Sequence, residues 1–390
     1  MDQGGKMHFT APFGSLIRVA VLAVVTAGGT GVARAEIRIA VAGPLSVSAM
    51  TAQYATFGEE LRRGAELAVR DVNESGDVNG QKLTLVIADD AGCDPKMAVE
   101  VANELARQGV VFVDGHYCSG ASIPASRVYH EKGVLMISPG STNPRLTEQG
   151  FANVFRVCGR DDVQGAFAAD YVVDHKLADR IAVVHDQSAY GKGITDEFKR
   201  RLNERGVRET MYEAIAQGDK EFGDLITKMR DGGIELIYFG GYFTESGLFA
   251  RQARGYGLTA TMMVTSGSFN QEYWDLAGSA AEGTLMTFGP EPRKLASAAE
   301  VVKRFEAEGF SPEGYTLYAY AAIQVFAEAA RRAGSTGLDA LGKVLHEGTY
   351  ETVLGPITFD DKGDVKGFKY SMYRWHDRRY EEICCRPPGK

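Results

Sequence analysis

The chain has 390 residues, 44% of them hydrophobic and 24% charged, which is the balance of a soluble globular protein. Its 51 Asp and Glu outnumber its 43 Lys and Arg, giving a net charge of −8. That balance argues against nucleic-acid binding, which relies on cations to neutralise phosphates.

The first segment reads as an export signal. Lys6, His8 and Arg18 give a weakly basic start, Val19 to Ala27 is uncharged and mostly apolar, and Ala33-Arg34-Ala35 is a small-x-small pattern before Glu36. This order predicts a signal peptide over residues 1–35, cleaved after Ala35. The uncharged run from Val19 to Ala33 has 15 residues, short of the roughly 20 that span a bilayer. No Cys stands at the cleavage point to carry a lipid. Cleavage removes three cations and one anion, taking the net charge from −8 to −10 and leaving 355 residues, a length for about two domains.

The mature sequence alternates short β-rich runs with amphipathic stretches. Strands are predicted at 37–42, 83–88, 110–114 and 134–137. Leu61, Ala65, Ala68, Val69 and Val72 fall on one helical face between the first two, and Ala98, Val101, Ala102 and Leu105 repeat the spacing after the second. A helix is expected at 122–130. A second cycle begins after Arg160, with helices at 162–175, 194–205, 222–230 and 245–256 and strands at 181–185, 209–214, 236–240 and 262–264. Helices at 298–308, 315–332 and 338–346 follow. The last expected element is a β-hairpin pairing 355–359 with 368–374 across Asp360, Asp361 and Gly363, which favour tight reversal. Strand–helix alternation predicts an α/β fold of two doubly wound, parallel-sheet lobes. In such sheets ligands bind beyond the carboxyl ends of the strands, in the loops that follow them.

Five cysteines in an exported chain suggest a disulfide. Cys93 and Cys118 both follow predicted strands and can meet on one rim. Their bond would close a loop of about 26 residues and add roughly 3 kcal/mol in the chain-entropy model. Cys158 reads as a small buried apolar side chain. Cys384 and Cys385, in a Pro/Gly-containing tail, receive no role.

The post-strand loops carry a resemblance. DDAGCDPKMAV (89–99), GHYCSGASIPAS (115–126), GVLMISPGST (133–142), VHDQSAYGKG (184–193), GGY (240–242) and GPITFDDKGDVKGF (355–368) together resemble the periplasmic leucine/isoleucine/valine-binding proteins that supply ABC importers. The resemblance runs in order from about Glu36 to Trp375. It implies a type I periplasmic binding fold with a three-strand hinge between lobe 1 (36–159 with 288–372) and lobe 2 (160–287 with 373–390). It also implies a monomer in the periplasm whose partners are a small amino-acid-like ligand and an inner-membrane ABC permease, with no cofactor, no metal and no catalysis.

Carried over residue by residue, the resemblance implies that Ser119 and Thr142 hold a ligand carboxylate, with Ser141 in the same loop, and that the Gly140 carbonyl accepts from an ammonium group. Short hydroxyl residues and free backbone amides suit a carboxylate because they donate without burying a countercharge. The side-chain end of the pocket would be aromatic: Phe57, Tyr117, Tyr190, Tyr242 and Tyr315. The family bridge maps onto Cys93 and Cys118, with an extra Gly92 before Cys93. One departure matters. Many members place a Glu in the loop at 262–269 to pair with the α-ammonium, and the residue here is Ser266. Asp161, Asp162 and Glu245 are the acids that could compensate. Otherwise the ligand is a carboxylic acid or amide without an α-amine, or the fold serves as a ligand-sensing receptor module.

Enzyme signatures do not survive inspection. The seven His residues form neither H-E-x-x-H nor a zinc spacing. His116 and Cys118 stand too close in sequence to face each other as a catalytic pair. The G-x-G-x-x-A at 255–260 follows a helix where a nucleotide loop would open one, and Asp89-Asp90 reads as a strand end with a polar cap.

Overall fold

The computed structural model describes residues 36–46 and 52–384; the predicted signal peptide, Cys385 and part of the loop before Phe57 lie outside the described residues. The first sheet contains β1 (Ile37–Gly43), β2 (Leu83–Asp89), β3 (Phe112–Gly115), β4 (Leu135–Ser138) and β5 (Val154–Arg156). All five are parallel, in the order β2-β1-β3-β4-β5. Its helices are α1 (Ala52–Glu74), α2 (Pro95–Arg107) and α3 (Ser119–Lys132). β3 and β4 are buried throughout, as expected of parallel strands covered on both faces.

The second sheet is built from β6 (Ile181–His185), β7 (Met211–Ala214), β8 (Leu236–Gly240), β9 (Thr261–Val264) and β10 (Leu285–Phe288), again parallel. Helices α4 (Asp161–Asp174), α5 (Ala189–Glu204), α6 (Gly223–Asp231), α7 (Phe243–Gly255) and α8 (Gln271–Ala277) connect them. Then α9 (Ala299–Ala307), α10 (Thr316–Ala333) and α11 (Leu338–Glu347) lead to the two-stranded β11 (Tyr350–Thr352) and β12 (Gly355–Ile357). α10 returns to the first sheet, where it packs along α1 and stacks Phe326 on Phe112 of β3 at 4.4 Å. The chain closes with β13 (Ser371–His376) and β14 (Arg379–Cys384), both antiparallel, which extend the second sheet beyond β10.

The expected hairpin between 355–359 and 368–374 does not form. Gly355–Ile357 instead pairs with Tyr350–Thr352 across a tight turn, and Ser371–His376 finds its partners in β10 and β14. Of the expected reversal there remains one bridge, Phe359 to Val365, around the acidic turn. β5, β10, β11 and β14 were not anticipated.

Three segments pass between the sheets, at 157–160, 289–291 and 366–370. Buried Arg156, at the end of β5, ties two of them: its guanidinium pairs with Asp364 at 2.6 Å and donates to the carbonyls of Ser141 and Asn143. Arg160 reaches the same Asp364 carboxylate at 2.6 Å. A buried charge pair of this kind avoids its desolvation cost only with such added hydrogen bonds.

Candidate functional site

The carboxyl ends of both sheets face one cleft. From the first sheet, the loop after β3 delivers Tyr117, Cys118 and the start of α3. The disulfide Cys93–Cys118 fixes that loop to the one after β2, with the Cα atoms 5.7 Å apart. A second clamp lies below it. His116 is fully buried between Asp90 (Nδ1 to Oδ2, 2.9 Å) and Tyr129 (Nε2 to the hydroxyl, 3.0 Å). Its carbonyl accepts from the hydroxyls of Ser122, Ser138 and Ser141.

Helix α2 begins with Asp94 accepting from the amides of Lys96 and Met97, whereas α3 begins at Cys118 with no side-chain cap. The amides of Ala121 and Ser122 bond to the Cys118 carbonyl, which leaves those of Ser119 and Gly120 without a partner among the described residues, at the positive end of the helix dipole. Ser119, at the head of α3, is buried; its hydroxyl accepts from the Asn143 amide at 3.3 Å and keeps its own proton to donate. The Thr142 hydroxyl is buried without a hydrogen-bond partner. Ser141 is turned the other way, with its hydroxyl on Ser122 at 2.5 Å and on the Tyr117 carbonyl at 2.8 Å, so its side chain belongs to the scaffold.

The aromatic residues converge. Tyr117 stacks on Phe57 at 4.4 Å and meets Tyr315 edge-on at 5.2 Å. From the second sheet, Tyr242 lies 5.4 Å from Tyr190 and 6.0 Å from Phe57. Tyr117, Ser119, Gly140, Tyr190, Tyr242 and Tyr315 line one small cavity, joined by Gly267. Burial pushes the phenols of Tyr117, Tyr190, Tyr242 and Tyr315 up, so all four remain hydrogen-bond donors at neutral pH. The rings leave about 10 Å³ between them, the space of a single water. Phe57 backs Tyr117 and does not line the cavity.

The second sheet contributes residues that sequence reasoning missed. The Tyr190 hydroxyl accepts from the Gly267 amide at 3.0 Å and shares a hydrogen bond with Ser266 Oγ at 3.0 Å, and Ser266 also donates to Gln164 Oε1 at 3.2 Å. Ser266 thus positions Tyr190, and the Gly267 beside it lines the cavity. Across the cleft, Asn143 Nδ2 donates to the Ala189 carbonyl at 2.7 Å, and Gln217 Nε2 donates to the Tyr54 hydroxyl at 2.7 Å. Asn143 is signalled only by its place before Pro144, and Gln217 by nothing in the sequence.

Among the three compensating acids, the geometry separates one. Asp162 pairs with Arg160 at 2.9 Å, and Glu245 accepts from the Gly218 amide at 2.8 Å. Asp161 opens α4 and is fully buried, and both its carboxylate oxygens lack a hydrogen-bond partner. Burial raises its pKa to about 7. The nearby Thr142 hydroxyl and Arg156 pull it down, and Asp162 and Glu197 push it up. That Thr142 hydroxyl favours the charged carboxylate without reaching hydrogen-bond geometry. The cavity thus combines Ser119 at the head of α3 with a wall of tyrosine rings; the buried Asp161 carboxylate and Thr142 hydroxyl are not among its lining residues. Among the described residues no group of three or more His, Cys, Asp or Glu could hold a metal.

Comparison with known proteins identifies the family. The periplasmic binding protein family model matches residues 36–379. The chain is 46% identical to Leu/Ile/Val-binding protein homolog 1 of Brucella melitensis, over 94% of this chain and 97% of that one. Among solved structures, the leucine-binding protein LivK of Thermotoga maritima superposes with a TM-score of 0.82 at 26% identity, covering 89% of this chain and 98% of that one. An ABC transporter substrate-binding protein of Desulfitobacterium hafniense in complex with Leu gives 0.74 at 28% identity, covering 90% and 100%. The type I fold implied by the loop motifs is therefore present, and the chain belongs to the periplasmic binding protein family.

Proposed function

We propose that this chain is an exported solute-binding protein that captures an apolar α-amino acid of the branched-chain class and presents it to an inner-membrane ABC permease. The signal-like segment before Glu36 and the family's location support delivery to the periplasm after cleavage at Ala35. Lobe 1 would comprise 36–159 with 288–372 and lobe 2 the remainder of the mature chain, bending at the three crossing segments. Closure would be a population shift driven by contacts that a ligand makes to both lobes at once. The proposed role is binding without turnover, by a monomer.

The observation that carries the ligand class is Asp161. In the proposed pose the ligand carboxylate takes the Ser119 hydroxyl, the free N–H groups of α3 and the Thr142 hydroxyl. The α-ammonium pairs with Asp161 and the Gly140 carbonyl, and the side chain lies among Tyr117, Tyr190, Tyr242 and Tyr315. A buried carboxylate with no partner costs free energy until a cation arrives. It does what the family's Glu does from position 266. Titration calorimetry of leucine, isoleucine and valine against 4-methylpentanoate tests this. The amino acids should bind at micromolar Kd or better, and the deaminated acid at least tenfold more weakly. Equal or tighter binding of the deaminated acid would instead support the second reading, a carboxylic acid or amide without an α-amine, which Ser266 favours.

A further inference from the structure

A second cavity, of about 240 Å³, lies against the three crossing segments and shares no lining residue with the aromatic cleft. Val157 comes from the first segment, Pro290 from the second, and Lys366 and Phe368 from the third. Leu354 and Ile357, around the β11–β12 turn, form the apolar wall opposite. Three features give this cavity the character of a ligand site. Its walls are largely aliphatic and aromatic. Tyr318, 3% exposed, is held by Phe288 and Tyr315 through ring contacts, yet its hydroxyl makes no hydrogen bond among the described residues. Lys366 and Lys369 are exposed on the rim, and neither has an ion-pair partner among the described residues. The charged groups on the wall are thus both cations, with no carboxylate to oppose an anion.

The cavity is also mechanically connected. A Cβ on Gly289 would meet the Tyr318 hydroxyl at 2.6 Å and the Phe368 ring at 2.9 Å, and one on Gly159 would meet Phe368 at 2.5 Å. Two cavity-lining rings therefore rest directly on the backbone of two crossing segments.

We propose that this cavity is a second small-molecule site for an amphipathic carboxylate. An apolar body of about nine carbons would fill it, scaling from the 150 Å³ that houses benzene. The carboxylate would pair with Lys366 and Lys369, and the Tyr318 hydroxyl would donate to an oxygen of the same ligand. Its coupling to the cleft rests on the two-lobe reading above. Occupation wedges the crossing segments in one arrangement, changing amino-acid affinity, and the amino acid changes the affinity of the second ligand by the same factor.

The test uses the mature protein with octanoate, 3-phenylpropanoate and octanol as probes, by calorimetry and ligand-observed NMR. Octanoate or phenylpropanoate should bind at submillimolar Kd and octanol at least tenfold more weakly. The double variant K366Q/K369Q, with its melting temperature and leucine affinity checked as controls for folding, should lose at least tenfold in carboxylate affinity, and Y318F several-fold. Saturating octanoate should shift the leucine Kd at least threefold to a plateau. Carboxylate binding indifferent to K366Q/K369Q, or displaced by leucine in simple competition, would overturn the site. A leucine Kd unmoved by octanoate would overturn the coupling. Binding that K366Q/K369Q abolishes, in a protein that takes no amino acid, would uphold the site while ending the amino-acid reading.

Discussion

In the proposed pose, Asp161 carries the selectivity for an amine. Its pKa is raised to about 7 by burial, so in the ligand-free protein its contribution to stability is full below the ordinary carboxylate pKa and is lost as pH rises through about 7. Amino-acid binding has the opposite sign, because an ammonium pairs only with the ionised form. Affinity should fall by about tenfold per pH unit below 7, with proton release on binding near neutrality. Calorimetry in buffers of different ionisation enthalpy measures both. D161N should lose at least tenfold in leucine affinity and flatten the pH profile; a profile unchanged from wild type would remove Asp161 from the ligand. Ser119 and Thr142 were named from sequence only through the family resemblance, because a lone hydroxyl in a post-strand loop ordinarily reads as a solvated turn residue. Asp161 was legible only as one of three acids, because a carboxylate at a helix start ordinarily reads as a cap. Its lack of partners is a property of the packed structure. Gly140 makes a second prediction. A Cβ there would meet the Tyr117 ring at 2.6 Å, so G140A should tilt that ring off Phe57 and weaken binding tenfold or more, with a melting-temperature loss of only a few degrees.

At the scale of elements, the strands rich in β-branched or aromatic residues, such as Ile181–His185 and Leu236–Gly240, lay where the pattern placed them. The three-residue β5 was too short to carry a period, and β10 mixes Met and Thr into an apolar run without alternation. The failed hairpin has a different cause. Gly355–Ile357 and Ser371–His376 are both strands, as expected, but sequence fixes a strand more readily than its partner, and each found a nearer or longer edge. The disulfide loop is an element in its own right, because it holds the uncapped end of α3 in place. The variant C93S/C118S should lose about 3 kcal/mol, a fall of several degrees in melting temperature. Its leucine affinity should also drop beyond what stability explains, since Ser119 loses its anchor. Retained affinity would assign positioning to the Asp90–His116–Tyr129 clamp instead.

For the whole molecule, the cleft is closed around about 10 Å³, so an amino acid enters only when the two sides part. Gln217 and Tyr54 latch the sides together from outside the ligand cavity. Removing that bond with Q217A should cost about 1 kcal/mol of the closed state and weaken leucine two- to tenfold through faster release, with stability nearly unchanged. Stopped-flow fluorescence separates release from capture. If only the association rate changes, the latch does not hold the closed state.

The return of α10 to the first sheet has a consequence for synthesis and export. Tyr315 donates its amide to Glu60, and Asn79 donates to the Ala330 carbonyl, across about 250 positions of chain. The first sheet thus lacks its covering helix until nearly the entire polypeptide has emerged. Contacts of such long sequence separation make folding slow. Under the export proposed above, such a delay would favour passage of the unfolded chain across the membrane before its core is complete.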